Sequence, residues 1–135
     1  MTLEEFRILH STLIEHYQYI EAHLDAIYAT LMGESFYQTL KDVEKDSLTG
    51  VLIELMRLQR EKDVIIVSGR EFSKIQKDVI HRRNFWVHSC YFDMIFSKNG
   101  APKKQRDVDA LYEDIEKAKR WRKILNEKKI GLMYE

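Results

Sequence analysis

The feature that most constrains the fold is a long run of regularly spaced apolar residues at the start of the 135-residue chain. Successive members are three or four positions apart, which places them on one side of an α-helix. Thr2 and Glu5 fit a capping box before this run, and Gly33 after it can take the left-handed conformation that ends a helix. The spacing therefore predicts an amphipathic helix over about residues 3–32, with one apolar side formed by Phe6, Leu9, Leu13, Tyr17, Ile20, Leu24, Ile27 and Leu31.

Shorter patterns of the same kind follow along the chain. Asp63 to Val67 is rich in β-branched residues, but a lone strand has no partner in a helical chain, so we expect a buried connector there. Ser68 and Glu71 form a second capping box, and Ser97 to Pro102 is the clearest loop. The predicted helices lie near residues 36–43, over about 48–62, from the second capping box to the loop, and over about 107–131.

This organisation predicts an all-α fold, a four- or five-helix antiparallel bundle, in a single domain spanning residues 1–135. The chain has 22 basic and 22 acidic residues and 44% hydrophobic residues, which suits one globular domain with a sizeable core. Its apolar stretches are too short to span a bilayer, and its acidic start does not resemble a secretory signal. We therefore expect a cytoplasmic protein that does not bind membranes.

A zero net charge hides an uneven distribution, because residues 1–69 carry 6 basic and 12 acidic groups whereas residues 101–135 carry 10 and 7. The single cysteine, Cys90, excludes an internal disulfide framework and any multi-cysteine metal site. His10, His16 and His23 are not spaced to put three metal ligands on one helix face. We therefore expect no metal and no cofactor.

The helix that follows Ser68 combines an apolar side with a stripe of polar and ionisable residues. At 100° per residue, the stripe lies opposite an apolar side formed by Phe72, Ile75, Val79, Trp86 and Met94. Arg83 and His88 are five positions apart and therefore about 140° apart around a regular helix. They share a site only if the arginine reaches around, the helix is distorted, or a second subunit contributes. The stripe comprises Lys77, His81, Asn84, His88 and Tyr91.

The segment Arg83-Asn84-Phe85-Trp86-Val87-His88 resembles the R-N-x-x-x-H form of the motif of HEPN domains. The resemblance covers six residues and the all-α bundle. It implies a metal-independent endoribonuclease that dimerises so that two motifs line one cleft, with Arg83, Asn84 and His88 as catalytic residues. It also implies a toxin–antitoxin or phage-defence setting and a possible antitoxin partner. A common subset has tyrosine two residues after the histidine, where this chain has Cys90, with Tyr91 one position later.

The residue types suit RNA cleavage on chemical grounds as well. Attack by a 2′-hydroxyl on the neighbouring phosphate needs a group that moves a proton near pH 7 and a cation facing the phosphate oxygens. His88 supplies the first and the planar fork of Arg83 the second, while Asn84 can orient the imidazole or the RNA. The candidates for binding the RNA substrate are Lys77, His81, Arg82 and Tyr91.

Three alternatives stay open. In the first, the chain is a non-catalytic HEPN-like module that binds RNA, a nucleotide or a protein partner such as a cognate antitoxin. In the second, it is a helical scaffold that uses this helix only to dimerise. In the third, Arg83 pairs with a carboxylate and His88 is hydrogen-bonded inside the bundle. Accessibility discriminates between them, because catalysis needs Arg83 and His88 in an open cleft. The basic cluster from Lys117 to Lys123 alternates with Glu113, Asp114 and Glu116 and is interpreted as a solvated helix face, with RNA contact as the less favoured interpretation.

Overall fold

The computed structural model describes residues 1–89 and 105–134, and these residues form five helices without a β-strand. The fourth helix is continuous from Gly69 to Ser89 and includes two π-helical turns. The prediction of an all-α bundle is confirmed. Met94, Cys90, Tyr91 and the predicted loop at residues 97–102 lie outside the described residues. The helices are α1 (Leu3–Met32), α2 (Phe36–Val43), α3 (Leu48–Glu61), α4 (Gly69–Ser89) and α5 (Gln105–Met133).

Local signals set the ends of α1 and the start of α4. Thr2 and Glu5 form the predicted capping box of α1, and Gly33 ends the helix with a φ of 74°. Ser68 and Glu71 form the corresponding box at the start of α4. The prediction that α5 ends at Gly131 was wrong, because the helix continues to Met133. Gly131 does not take the positive φ with which Gly33 ends α1, so the helix continues through it.

The directions of α1, α4 and α5 follow from their contacts. Asp78 of α4 contacts Trp121 of α5, whereas Trp86, later in α4, contacts Asp114, earlier in α5. The two helices are therefore antiparallel. Phe6 and His10 of α1 likewise contact Trp86, whereas Glu21, later in α1, contacts Arg83, earlier in α4. Because α4 is antiparallel to both neighbours, α1 and α5 run parallel to each other.

The prediction of a buried connector at residues 63–67 was only partly right. Val67 is fully buried, but Ile65 is 83% exposed and Val64 is also exposed. The side chain of the buried Gln59 explains this arrangement, because it accepts hydrogen bonds from the backbone nitrogens of Ile66 and Val67 and donates one to the carbonyl oxygen of Val67. These bonds fix the second half of the connector against α3 and leave the first half facing solvent.

The core lies where α1, α3, α4 and α5 meet, and α1 has its most extensive contacts with α5. Trp86 is the largest of the fully buried side chains. No helix within the described ranges is both long and apolar enough to cross a membrane. Other fully buried side chains are Phe6, Leu13, Tyr17, Ile20, Leu24, Ile27, Leu52, Leu55, Ile75, Leu111 and Leu125.

Candidate functional site

The described part of the predicted polar stripe lies on the solvent side of α4. Lys77, His81, Asn84 and His88 are all exposed, and we call these four residues the polar face. Tyr91, the fifth member of the predicted stripe, lies outside the described residues. The other side of the helix is buried and carries Ile75, Val79 and Trp86. The helix therefore separates a packing side from a side that is open to a ligand.

Helix α4 is distorted at the motif. Residues Phe85–Ser89 form a π-helical turn, whose i→i+5 hydrogen bonds add a residue to the turn. The turn includes His88, so the angle between Arg83 and His88 is smaller than in a regular α-helix. His10 of α1 donates from Nε2 to the carbonyl oxygen of Trp86 within this turn, at 2.8 Å. A second π-helical turn occupies Gln76–Ile80. Such turns are frequent at functional sites.

Arg83 lies at the edge between the polar face and α1. Its side chain is 31% exposed, and its Nη2 lies 3.9 Å from Oε2 of Glu21. This distance is at the upper limit for an ion pair, and both groups are partly solvated, so the attraction between them is modest. The guanidinium therefore remains accessible from solvent, with a carboxylate beside it that competes with an incoming phosphate.

Arg82 is held more firmly than Arg83. Its Nε donates to Oδ2 of Asp114 at 2.7 Å, and Nε1 of Trp86 donates to the same oxygen at 2.7 Å. The Asp114 side chain is only 5% exposed, whereas that of Arg82 is 35% exposed. The guanidinium also lies over the Phe85 ring, 5.0 Å from its centroid. Arg82, predicted to bind substrate, thus has a structural partner that ties α4 to α5.

Tyr17 places a buried hydroxyl close to both arginines. Its side chain is 1% exposed, and its hydroxyl oxygen has no hydrogen-bond partner in the described part of the chain. Burial raises the pKa of Tyr17 far above its ordinary value, and Asp114 raises it further, while Arg82 and Arg83 oppose the shift. The hydroxyl therefore stays protonated and can act only as a neutral hydrogen-bonding group.

Asp25 lies one helical turn after Glu21 in α1 and has an unusual carboxyl group. Its Oδ1 is buried and accepts no hydrogen bond in the described residues. Burial raises the pKa of Asp25 from 3.8 to about 7, and the negative charges of Glu21, Asp46 and Glu44 add to this shift. Asp25 is therefore partly protonated near neutral pH.

We expect the contribution of Asp25 to the free energy of unfolding to decrease as the pH rises from about 4 to about 7. Within this window the folded state holds the proton and the unfolded chain does not, so stabilisation is complete below pH 4 and lost above pH 7. Asp25→Asn stays neutral, so its stability relative to the wild type should increase across the window. Urea unfolding at pH 4 to 8 measures this difference. Asp109→Asn, at an exposed position of α5, should follow the wild type, and a pH-independent difference for Asp25→Asn would contradict the assignment.

Residues 1–89 and 105–134 contain no group of three or more histidine, cysteine, aspartate or glutamate side chains placed to hold a metal ion. The chain matches no protein-family model, no curated protein and no solved structure. The function is therefore indicated by the site itself and by the six-residue motif.

Sequence reasoning missed the groups that surround the two arginines. The sequence predicts a packing role for Tyr17 on the apolar side of α1 and no role for Glu21. The interpretation of Asp114 as part of a solvated face was wrong, because the residue is only 3% exposed. Its spacing, three positions after Leu111 and four before Ala118, places it on the buried side of α5. A carboxylate on a buried helix face needs a donor or a cation, so this position could have been paired in advance with a basic residue.

Proposed function

We propose that this chain is a metal-independent endoribonuclease of HEPN type that cleaves single-stranded RNA. The observation that carries the proposal is the polar face of α4, where an imidazole and an amide are open to solvent at a π-helical turn. None of the four side chains of this face is acidic, which favours the approach of a phosphate. Arg83 lies at the edge of the face and is partly solvated.

In the proposed reaction the 2′-hydroxyl oxygen attacks the adjacent phosphorus atom, and the bond from phosphorus to the 5′-oxygen breaks. The His88 imidazole takes the proton of the 2′-hydroxyl, and the leaving 5′-oxygen receives a proton from a second, protonated imidazole. Arg83 offers two N–H groups to the non-bridging oxygens, where negative charge develops. Asn84, one turn before His88, orients the imidazole or the RNA. The products carry a 2′,3′-cyclic phosphate and a 5′-hydroxyl.

A homodimer supplies the second imidazole. A two-fold axis brings the same surface of each subunit together, so two copies of His88 can face one RNA strand. The proposed contacts to the RNA are Lys77 and His81 on the polar face, together with Arg82 and Tyr91. The family resemblance extends the proposal to a toxin–antitoxin or phage-defence setting in which a cognate antitoxin protein is a partner.

A non-catalytic HEPN-like module that binds RNA, a nucleotide or a protein is the second candidate. The carboxylates beside the two arginines favour it, because Asp114 holds Arg82 and Glu21 lies near Arg83. In such a module these pairs would stabilise the fold, and the polar face would bind without chemistry.

The test is incubation of the purified protein with single-stranded RNA in EDTA. We expect the wild type to cleave and His88→Ala to be at least about 100-fold slower, because proton transfer is lost from the transition state. Lys117→Ala, which changes an unrelated position of α5, should cleave like the wild type. Light scattering should give twice the 16.2 kDa mass of the chain. Binding of RNA by a monomer without cleavage would favour the second candidate.

A further inference from the structure

A groove between α1 and α5 is built from residues that the proposed reaction does not use. It has a volume of about 390 Å³, within the range of small-ligand sites, and contains no residue of α4. Histidine and tyrosine side chains form one wall and basic side chains form the other. We call it the α1–α5 groove, and it is lined chiefly by His16, Tyr19, His23, Lys119, Arg122 and Lys123.

The charge of the groove is one-sided. Among the described residues, its lining includes two lysines and an arginine but no carboxylate. In the described part of the chain, Lys119, Arg122 and Lys123 form no ion pair with an acidic side chain, although neighbouring residues of α5 such as Lys117 do. Glu15 and Glu116 act on His16 from outside the lining, but three cations that converge on one concave surface without an ion-paired carboxylate leave a positive potential there, and this potential attracts an anion.

Arg122 is held in place at the centre of this arrangement. Its guanidinium carbon lies 3.6 Å from the centroid of the Tyr19 ring, and its Nη1 lies 3.2 Å from Nδ1 of His16. Because arginine can only donate, Nδ1 of His16 accepts, and the proton of the neutral ring is on Nε2. An aromatic ring and a neutral imidazole thus fix the guanidinium without neutralising its charge. Anion binding therefore costs less conformational entropy, because the Arg122 side chain is already ordered.

Burial and the same nearby cations lower the pKa values of both histidines in the groove. Burial lowers the pKa of His16, and Arg122 and Lys119 lower it further, against the opposing effect of Glu15 and Glu116. Burial also lowers the pKa of His23 to about 4, with Lys129 and Arg122 adding to the shift. Both imidazoles are therefore neutral near pH 7, and each can gain a proton if an anion offsets the nearby cations.

We propose that the α1–α5 groove binds a small tetrahedral dianion of the phosphate class, either free or as a phosphate monoester. The fork of Arg122 binds two of its oxygens, and the ammonium groups of Lys119 and Lys123 supply the remaining charge. This assignment is independent of RNA cleavage, because the groove and the polar face share no residue. Loss of one property therefore does not imply loss of the other.

The test uses calorimetric titration of the full-length protein with inorganic phosphate, and separately with phosphoserine as a monoester, at constant ionic strength. We expect Arg122→Gln to bind at least about tenfold more weakly than the wild type, because it loses charge-assisted hydrogen bonds. Arg120→Gln is the matched control, since it removes the same charge two positions away on an exposed part of α5 outside this groove. Tighter binding of phosphoserine than of phosphate would identify the monoester as the preferred form.

Nuclear magnetic resonance of the His16 ring provides a second readout that does not depend on the stability of a variant. Sulfate keeps its charge between pH 5 and 8, so it should raise the pKa of His16 in the wild type and in Arg120→Gln. Equal weakening in the two arginine variants, or a His16 pKa that sulfate leaves unchanged, would overturn the proposal. So would binding of single-stranded RNA to the groove that phosphate does not compete with.

Discussion

An Arg83→Lys variant is expected to cleave single-stranded RNA at least about 100-fold more slowly than the wild type. Lysine keeps the positive charge, and its ammonium can still approach Glu21, so the fold should be retained. It cannot reproduce the planar pair of donors that matches two phosphate oxygens in the transition state. Single-turnover rates with a defined RNA substrate in EDTA measure the effect, because they report the chemical step rather than product release.

Product analysis makes this prediction specific to the proposed chemistry. Attack by the 2′-hydroxyl requires products that end in a 2′,3′-cyclic phosphate or its hydrolysis product. A substrate with 2′-deoxyribose at the scissile position should be inert, because it lacks the attacking oxygen. Lys117→Ala should leave the rate little changed. Cleavage that needs magnesium, that acts equally on DNA, or that survives Arg83→Lys combined with His88→Ala would rule out the mechanism.

Asp114→Ala is expected to lower the free energy of unfolding by about 3 kcal/mol, at the lower end of the effect of breaking a buried ion pair. The substitution removes the oxygen to which both Arg82 and Trp86 donate. Trp86 is 1% exposed, so water cannot easily replace this acceptor. The expected loss of stability is at the lower end of this range because Arg82 is 35% exposed and keeps part of its hydration. Urea unfolding at pH 7 measures the change.

Asp109→Ala is the matched control, since Asp109 lies on the exposed side of the same helix and, among the described residues, accepts a hydrogen bond from Gln105 alone. Its stability should be within about 0.5 kcal/mol of the wild type. Asp114→Asn retains an oxygen acceptor without the charge and should lie between the wild type and Asp114→Ala. A loss below about 1 kcal/mol for Asp114→Ala would show that the shared carboxylate contributes little to holding α4 against α5.

The polar face of α4 could be predicted from the sequence, whereas the partners of its arginines could not. Helical periodicity alone separates Asn84 and His88 from Trp86, and these positions are exposed and buried as expected. Asp114 lies 32 positions from Arg82 along the chain, and Glu21 lies 62 positions from Arg83. No local pattern relates residues so far apart, because which carboxylate meets which arginine depends on how the helices pack.

The sequence by itself determined where α1 and α4 begin and which side of each is apolar, since capping boxes at Thr2 and Ser68 and a repeat of three or four residues act within a few turns. The tertiary structure decided the rest. The π-helical turn at Phe85–Ser89 lies where His10 reaches the Trp86 carbonyl oxygen, and the α1–α5 groove exists because α1 provides the second wall for a basic face of α5. Both features involve contacts between helices that are distant in the chain, and such contacts depend on how side chains fill the space between helices rather than on local spacing.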